Sequence, residues 1–263
     1  MLTLTRAEIL TFAYAAATAG AVGAFGFSAL SLGIPSAGFL ALMADGIARP
    51  GSSVFYPTVT HGPRDSSRVA LSFDDGPDPE VTPAVLDVLA KHGAHATFFS
   101  IGRSLEEHPQ LARRLVAEGH ELGNHSWGHS RWQNFFGAAQ QAREIERGAQ
   151  AIAVVTGRQG RPLYRPAIGL KSPALARAAH AQQVTLVAWS LHSRDTRTAD
   201  PKRIARRVLQ RIRPGDIVLM HDGHDLPGRH RPACAQATPL ILQGLREKGL
   251  HCVTVSGLLE GAP

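Results

Sequence analysis

Val69-Ala-Leu-Ser-Phe73 runs directly into Asp74-Asp75-Gly76-Pro77-Asp78-Pro79, an apolar stretch of strand length stopped by a cluster of turn formers. Further along the chain, short β-branched or apolar runs alternate with longer helical patterns. The runs are Thr97–Ile101, Glu121–Asn124, Leu163–Arg165, Thr185–Ser190, Ile217–Met220 and Cys252–Val255, which with Val69–Phe73 predict seven strands. The helical segments between them carry end signals, such as Thr82 before Pro83 and Gly93 or Gly119 past a helix end. Alternation of this kind predicts an α/β fold with a mainly parallel sheet. The polar residues choose between an open sheet and a barrel, because they gather at strand ends. Asp74 and Asp75 follow the first run, His125 the third and His221 the sixth, while Arg165 ends the fourth and Asp195 lies shortly after the fifth. The carboxyl ends of all strands of a β/α barrel converge on one face, so a distorted barrel of about seven parallel strands brings these segments into one site.

The rest of the chain frames that domain. At 263 residues the chain holds one such barrel with a terminal segment left over. Ile9 to Ala44 contains no charge, and the run exceeds the roughly 20 apolar residues that a helix needs to cross a bilayer. Residues 1–48 are therefore read as a membrane anchor, either one spanning helix with a shorter apolar piece or a two-helix hairpin broken near Gly33-Ile34-Pro35. A cleaved signal peptide and a buried hairpin are the rival readings. The sequence 49–67, rich in Pro, Gly and Ser, is expected to be a linker, and 68–263 the catalytic domain.

The formal charge of +7 points to an anionic neighbour such as lipid headgroups, an acidic glycan or nucleic acid. Nucleic acid is disfavoured, since the basic residues are scattered singly or in pairs and the few aromatics are not interleaved with them. Cys234 and Cys252 lack the close spacing of a zinc or redox pair and are read as structural thiols, with a disulfide possible only in an oxidising compartment.

Chemistry follows from the strand-end groups. His125-Ser-Trp-Gly-His129 spaces two imidazoles so that both reach one ion if the segment is helical or tightly turned. A carboxylate from Asp74-Asp75 completes a two-His, one-carboxylate set with open positions for water and substrate. Adjacent residues at a strand end point in different directions, so the two aspartates are expected to perform different tasks. A glycosidase also uses paired carboxylates on a sugar, but it has no need of the two histidines.

Leu71-Ser-Phe-Asp-Asp-Gly-Pro-Asp-Pro79, His125-Ser-Trp-Gly-His129 and the tail Thr238–Gly249 together resemble the polysaccharide deacetylase family, the carbohydrate esterases of the NodB-homology type. The resemblance runs from about Val69 to about Leu259. It implies that Asp75, His125 and His129 hold one divalent metal, commonly zinc, and that Asp74 is the general base. It implies further that Arg165 pairs with that base and that Asp195 orients His221, the general acid. Leu219 would line the acetyl pocket and the Ile168 backbone would face the oxyanion. Two positions depart from the family pattern: Ile168 stands where an aromatic is usual, and His192 to Thr196 replace a usual Asp-x-x-Asp-Trp. The expected function is removal of N-acetyl groups from amino sugars of an envelope polysaccharide or oligosaccharide. A lipid-linked amino sugar or a non-catalytic glycan-binding role are the alternatives. The expected location is the cell membrane, with the catalytic domain toward the periplasm or exterior, and no obligate protein partner is inferred.

Overall fold

The computed structural model describes residues 6–157, 160–224, 226 and 228–260. Its strands are β1 (Thr58–Val59), β2 (Arg68–Asp74), β3 (Thr97–Ser100), β4 (Glu121–Asn124), β5 (Leu186–Val187), β6 (Leu191–His192), β7 (Ile217–His221) and β8 (His251–Val253). The helices are α1 (Arg6–Phe25), α2 (Ala29–Ala48), α3 (Thr82–Lys91), α4 (Gly102–Glu107) and α5 (Pro109–Ala117), followed by α6 (Ala138–Thr156), α7 (Pro173–Gln182), α8 (Pro201–Leu209), α9 (Pro232–Glu247) and α10 (Val255–Leu259).

All paired strands are parallel. They run β6-β7-β2-β3-β4, with β8 also on β2. Tyr164 bridges Asn124 of β4 to Leu186 of β5, and β5 pairs β1, which curls the sheet toward a barrel. Pleating then sorts the side chains. On β2, Val69, Leu71 and Phe73 pack outward against helical residues such as Val85, Leu89 and Ile241. Ala70 faces the interior with Phe99, Val187 and Ile217. Continuing that alternation by two pleats turns Asp74 inward at the carboxyl end of the strand. The same rule on β7 sends Val218 and Met220 outward, while Leu219 and His221 line the interior cavity.

Three expectations for the region after the apolar N-terminus change. Leu163–Arg165 makes only bridges at Tyr164, because Pro162 and Pro166 flank it and supply no N–H to a ladder. The run Thr185–Ser190 is split, with two-residue strands on either side of Ala188 to Ser190. Ala188 N–H turns to Val59 O at 2.7 Å, and Ala188 O accepts from the Arg165 guanidinium at 2.9 Å. The stretch 49–67 is packed rather than free. It contains β1, buries Phe55 at 2% exposure, and supplies the Pro50 and Ser52 carbonyls to the ammonium of buried Lys171, each at 2.5 Å.

The apolar N-terminus forms a helical hairpin, but its break lies at Gly26-Phe27-Ser28 instead of near Pro35. Gly26 takes φ +69, and Ser28 caps α2 in a reciprocal capping box with Ser31. Pro35 sits inside α2, where the Ser36 hydroxyl bonds the Leu32 carbonyl at 2.7 Å. The helices meet through stacked Tyr14 and Phe39, 4.7 Å apart, and Tyr14 Oη bonds Ser36 Oγ at 3.1 Å. Each helix is 20 residues long, about 30 Å, and is long and apolar enough to cross a bilayer. Phe12, Phe25, Phe27, Leu30, Ile34 and Leu40 are exposed on the hairpin. Cys234 is buried and Cys252 half-buried, and both thiols are free.

Candidate active site

A cavity of about 390 Å³ opens at the carboxyl end of the strands, lined by Asp74, Asp75, His125, His129, Ile168, Leu219 and His221 among others. The two remaining predicted residues stand directly behind it: Arg165 bonds Asp74 and Asp195 bonds His221. The nine residues come from segments spread between Asp74 and His221.

Asp74 and Asp75 leave β2 in succession yet line one cavity, because Asp75 adopts φ +75 and swings its carboxylate back. Gly76 is required next to it: a Cβ there would lie 2.3 Å from Asp222 Oδ2. Ser126, His129, Ile168 and Arg194 also hold left-handed backbone without being glycine. Conformations of this kind are costly and gather where a site over-determines the chain.

Asp75 Oδ1 lies 3.3 Å from His129 Nε2 and 3.6 Å from His125 Nε2. One ligand atom from each residue falls within 4.8 Å of the others, and all three residues are buried. The donor chemistry fits a divalent cation. His125 Nδ1 sits 2.7 Å from the Arg165 carbonyl, so the N–H belongs on Nδ1 and the Nε2 lone pair is left for the cavity. Burial works to raise the Asp75 carboxyl, but the His125 hydrogen bond and the neighbouring imidazoles outweigh it and hold it well below the usual carboxylate range. A buried carboxylate facing two ring nitrogens suits a divalent cation in its donor set as well as its shape.

Asp74 is fixed from one side. Arg165, fully buried, places Nη1 at 2.6 Å from Asp74 Oδ1 and 2.9 Å from Ser72 Oγ, with Nη2 on the Ala188 carbonyl. Its guanidinium carbon also lies 3.9 Å over the Phe99 ring. Burial pulls the Arg165 pKa down, and the Asp74 charge only partly offsets this. The other Asp74 oxygen lies 3.6 Å from His125 Nε2.

On the far wall, His221 Nδ1 is 3.0 Å from Asp195 Oδ1, and Asp195 Oδ2 accepts the His221 backbone N–H at 2.7 Å. Ser193 Oγ also donates to Asp195 Oδ1, at 2.9 Å. Burial disfavours a charged His221, but the Asp195 carboxylate outweighs it and raises the ring above its ordinary range. The same pairing lowers the Asp195 carboxyl against its own burial.

The polysaccharide deacetylase family profile matches residues 61–187. A Bacillus cereus peptidoglycan-N-acetylglucosamine deacetylase is 34% identical over 207 residues, spanning 75% of this chain and 91% of the relative. The chain belongs to the polysaccharide deacetylase family. The chain is also similar to the chitooligosaccharide deacetylase of Azorhizobium caulinodans, 33% identical over 160 residues, spanning 61% of this chain and 76% of that one. Among solved structures, a peptidoglycan N-acetylglucosamine deacetylase superposes with a TM-score of 0.72 at 30% identity, covering 78% of this chain and 94% of the other. As a member of this family the protein is a hydrolase of non-peptide carbon–nitrogen bonds.

Several lining residues of this deacetylase escape the sequence reading. Arg131 lines the cavity two residues past His129, and Arg231 reaches Asp75 Oδ2 at 3.1 Å from the start of α9. Trp189 forms an apolar wall against Gly169, where a Cβ would lie 2.6 Å from the indole. His192 and Thr196 also line the cavity, in the segment where the family pattern is altered. Nothing in local spacing marks Arg231, because a loop delivers it.

Asp222 stands beneath the cavity floor, fully buried, with Thr82 Oγ1 donating to Oδ2 at 2.6 Å. Burial, reinforced by the Asp75 and Asp78 charges, pushes its carboxyl up to about 7. The folded pKa exceeds the unfolded one, so the folded state binds the extra proton and loses stability as pH rises from about 4 to about 7. Asp222→Asn is expected to gain in melting temperature relative to wild type at pH 8, with the difference shrinking at pH 5. Thermal unfolding at the two pH values checks this, and a difference independent of pH contradicts it.

Proposed function

We propose that the protein removes N-acetyl groups from amino sugars of an envelope polysaccharide or oligosaccharide, in a metal-dependent hydrolysis. The observation that carries this reading is the convergence of Asp75, His125 and His129 with Asp74 and His221 on one cavity. When bound by Asp75, His125 and His129, a divalent ion, zinc in this reading, supplies the Lewis acidity that polarises the amide carbonyl and acidifies water.

The chain's own groups perform the proton transfers. Asp74, held in place by the Arg165 guanidinium, accepts a proton from water as it attacks the acetyl carbon. Leu219 and Trp189 give the acetyl methyl an apolar wall. The Ile168 backbone N–H faces the developing oxyanion, a role that needs no side chain, and losing such a donor typically costs about 2.7–4 kcal/mol of barrier. His221, charged through Asp195, gives its proton to the leaving sugar nitrogen as the carbon–nitrogen bond breaks. The products are a free amine on the sugar and acetate.

The α1–α2 hairpin anchors this domain in the cell membrane, with the catalytic domain on the periplasmic or exterior side. The uncharged run from Ile9 to Ala44 and the length of the two helices support that reading.

The test uses the full chain in detergent, because residues 50–52 are bonded to Lys171 of the domain. With zinc added, chitooligosaccharides and peptidoglycan are expected to yield acetate and free amine in equal amounts, with no new reducing ends. New reducing ends would favour a glycosidase, and turnover of neither substrate class with metal bound would favour a non-catalytic role.

A further inference from the structure

A second groove, of about 310 Å³, lies beside the catalytic cavity and is lined by Arg194, Arg197, Arg203, Arg206, Arg207 and Arg211. Among the described residues, no carboxylate contributes to its lining. Asp195, next in the chain, points the other way to His221, and Asp200 is occupied as the α8 N-cap by the N–H groups of Lys202 and Arg203. Only Arg207 has a side-chain hydrogen bond recorded among the described residues, from Nε to the His192 carbonyl at 3.0 Å. The other five arginines are exposed. Burial, and then the charges of Arg194 and Arg211, pull the Arg207 guanidinium below its ordinary range. A concave surface crowded with like charge is relieved by a compact polyanion, and guanidinium forks match phosphate oxygens in pairs.

The groove and the catalytic cavity share one wall. His192 and Thr196 line the cavity, while Arg194, Arg197 and Thr198 line the groove. Arg194 holds φ +64, the left-handed turn that lets one short loop serve both sides. Arg207 ties the helix to the same loop through the His192 carbonyl.

We propose that this arginine groove is a binding site for a phosphate-bearing ligand, either the phosphate of a phosphorylated glycan substrate or a separate phosphate anion. The phosphate site itself is independent of the deacetylase reading, and only its assignment to the substrate rests on that reading.

The experiment has two arms and uses the zinc-loaded full chain in low-salt buffer. In the first, pyrophosphate binding to wild type, Arg203→Gln/Arg206→Gln and Arg203→Glu/Arg206→Glu is measured by calorimetry, with melting temperature as the folding check. Pyrophosphate also ligates zinc, so the reading is the difference between chains sharing the same metal site. Affinity is expected to fall at least about tenfold in the Gln pair and further in the Glu pair. Equal affinity in all three overturns the proposal, as does a Glu pair that binds better than the Gln pair. Tight arginine-dependent binding to duplex DNA or anionic vesicles without pyrophosphate binding also overturns it, in favour of a diffuse polyanion surface.

The second arm compares kcat/KM for chitotetraose and for chitotetraose 1-phosphate. A preference for the phosphorylated sugar that falls toward one in the double variants assigns the phosphate to the substrate. Equal turnover of both sugars, with the first arm positive, assigns the groove to a separate phosphate anion. Absence of turnover on every sugar with the first arm positive defeats the deacetylase reading and leaves the phosphate site standing.

Discussion

Asp75→Ala and His125→Ala are each expected to yield a folded chain that retains no divalent ion and releases no measurable acetate, a loss of at least about 10³-fold. The argument is geometric. Asp75 Oδ1 lies within 3.6 Å of a ring nitrogen of both imidazoles, and deleting it leaves the two ring nitrogens without their third ligand atom. His125 contributes the nitrogen whose tautomer is fixed by the Arg165 carbonyl, and alanine removes it at a position just past the end of β4. Metal analysis after dialysis, together with an acetate assay, checks both readouts. A variant that kept one ion per chain at wild-type rate would remove these residues from the metal site.

His221→Ala is expected to lose about 10²–10⁴ in rate while keeping its ion, because the ring lies outside the Asp75, His125 and His129 cluster and, in the proposed mechanism, serves proton transfer. Asp195→Asn separates the charge from the ring. His221 keeps its place but loses the carboxylate that raises its pKa against burial. The charged ring then persists to a lower pH only, so the alkaline fall in kcat is expected to move to lower pH than in wild type. A His221→Ala chain that lost its ion, or an Asp195→Asn profile that moved to higher pH, would contradict the division of roles.

Much of this arrangement is legible in the sequence because it follows from pleating and strand ends. Val69–Phe73 alternates outward apolar residues with an inward Ala70 and Ser72, and the same count delivers Asp74 to the interior. His221 is delivered by an equivalent count along Ile217–Met220. What was not legible depends on distant partners. The two-residue strand Thr58–Val59 is too short for any period, and it exists because β5 offers a parallel edge. Leu163–Arg165 has the composition of a strand, but its flanking prolines and its buried guanidinium confine it to two isolated bridges at Tyr164. A hairpin, one of two readings of the apolar run, would break near Gly33–Pro35 by sequence, yet the turn lies at Gly26–Ser28, where Ser28 caps α2, and Pro35 is absorbed inside that helix.

The site shows the same division. The nine expected residues share one cavity or stand immediately behind it, since most lie at or shortly after the carboxyl end of a strand and Arg165 and Ile168 follow the bridges at Tyr164. Arg131, Trp189 and Arg231 reach it from loops, and their positions are set by tertiary packing. The arginines of the second groove read in the sequence as scattered basic residues. A left-handed residue at Arg194 and one helix face gather them into a single surface.

The most direct measurement is anomalous X-ray scattering at the zinc edge from crystals of the zinc-loaded full chain. One peak per chain is expected, bounded by an Asp75 carboxylate oxygen, His125 Nε2 and His129 Nε2. A peak elsewhere, or none in crystals of protein that still releases acetate, would contradict it.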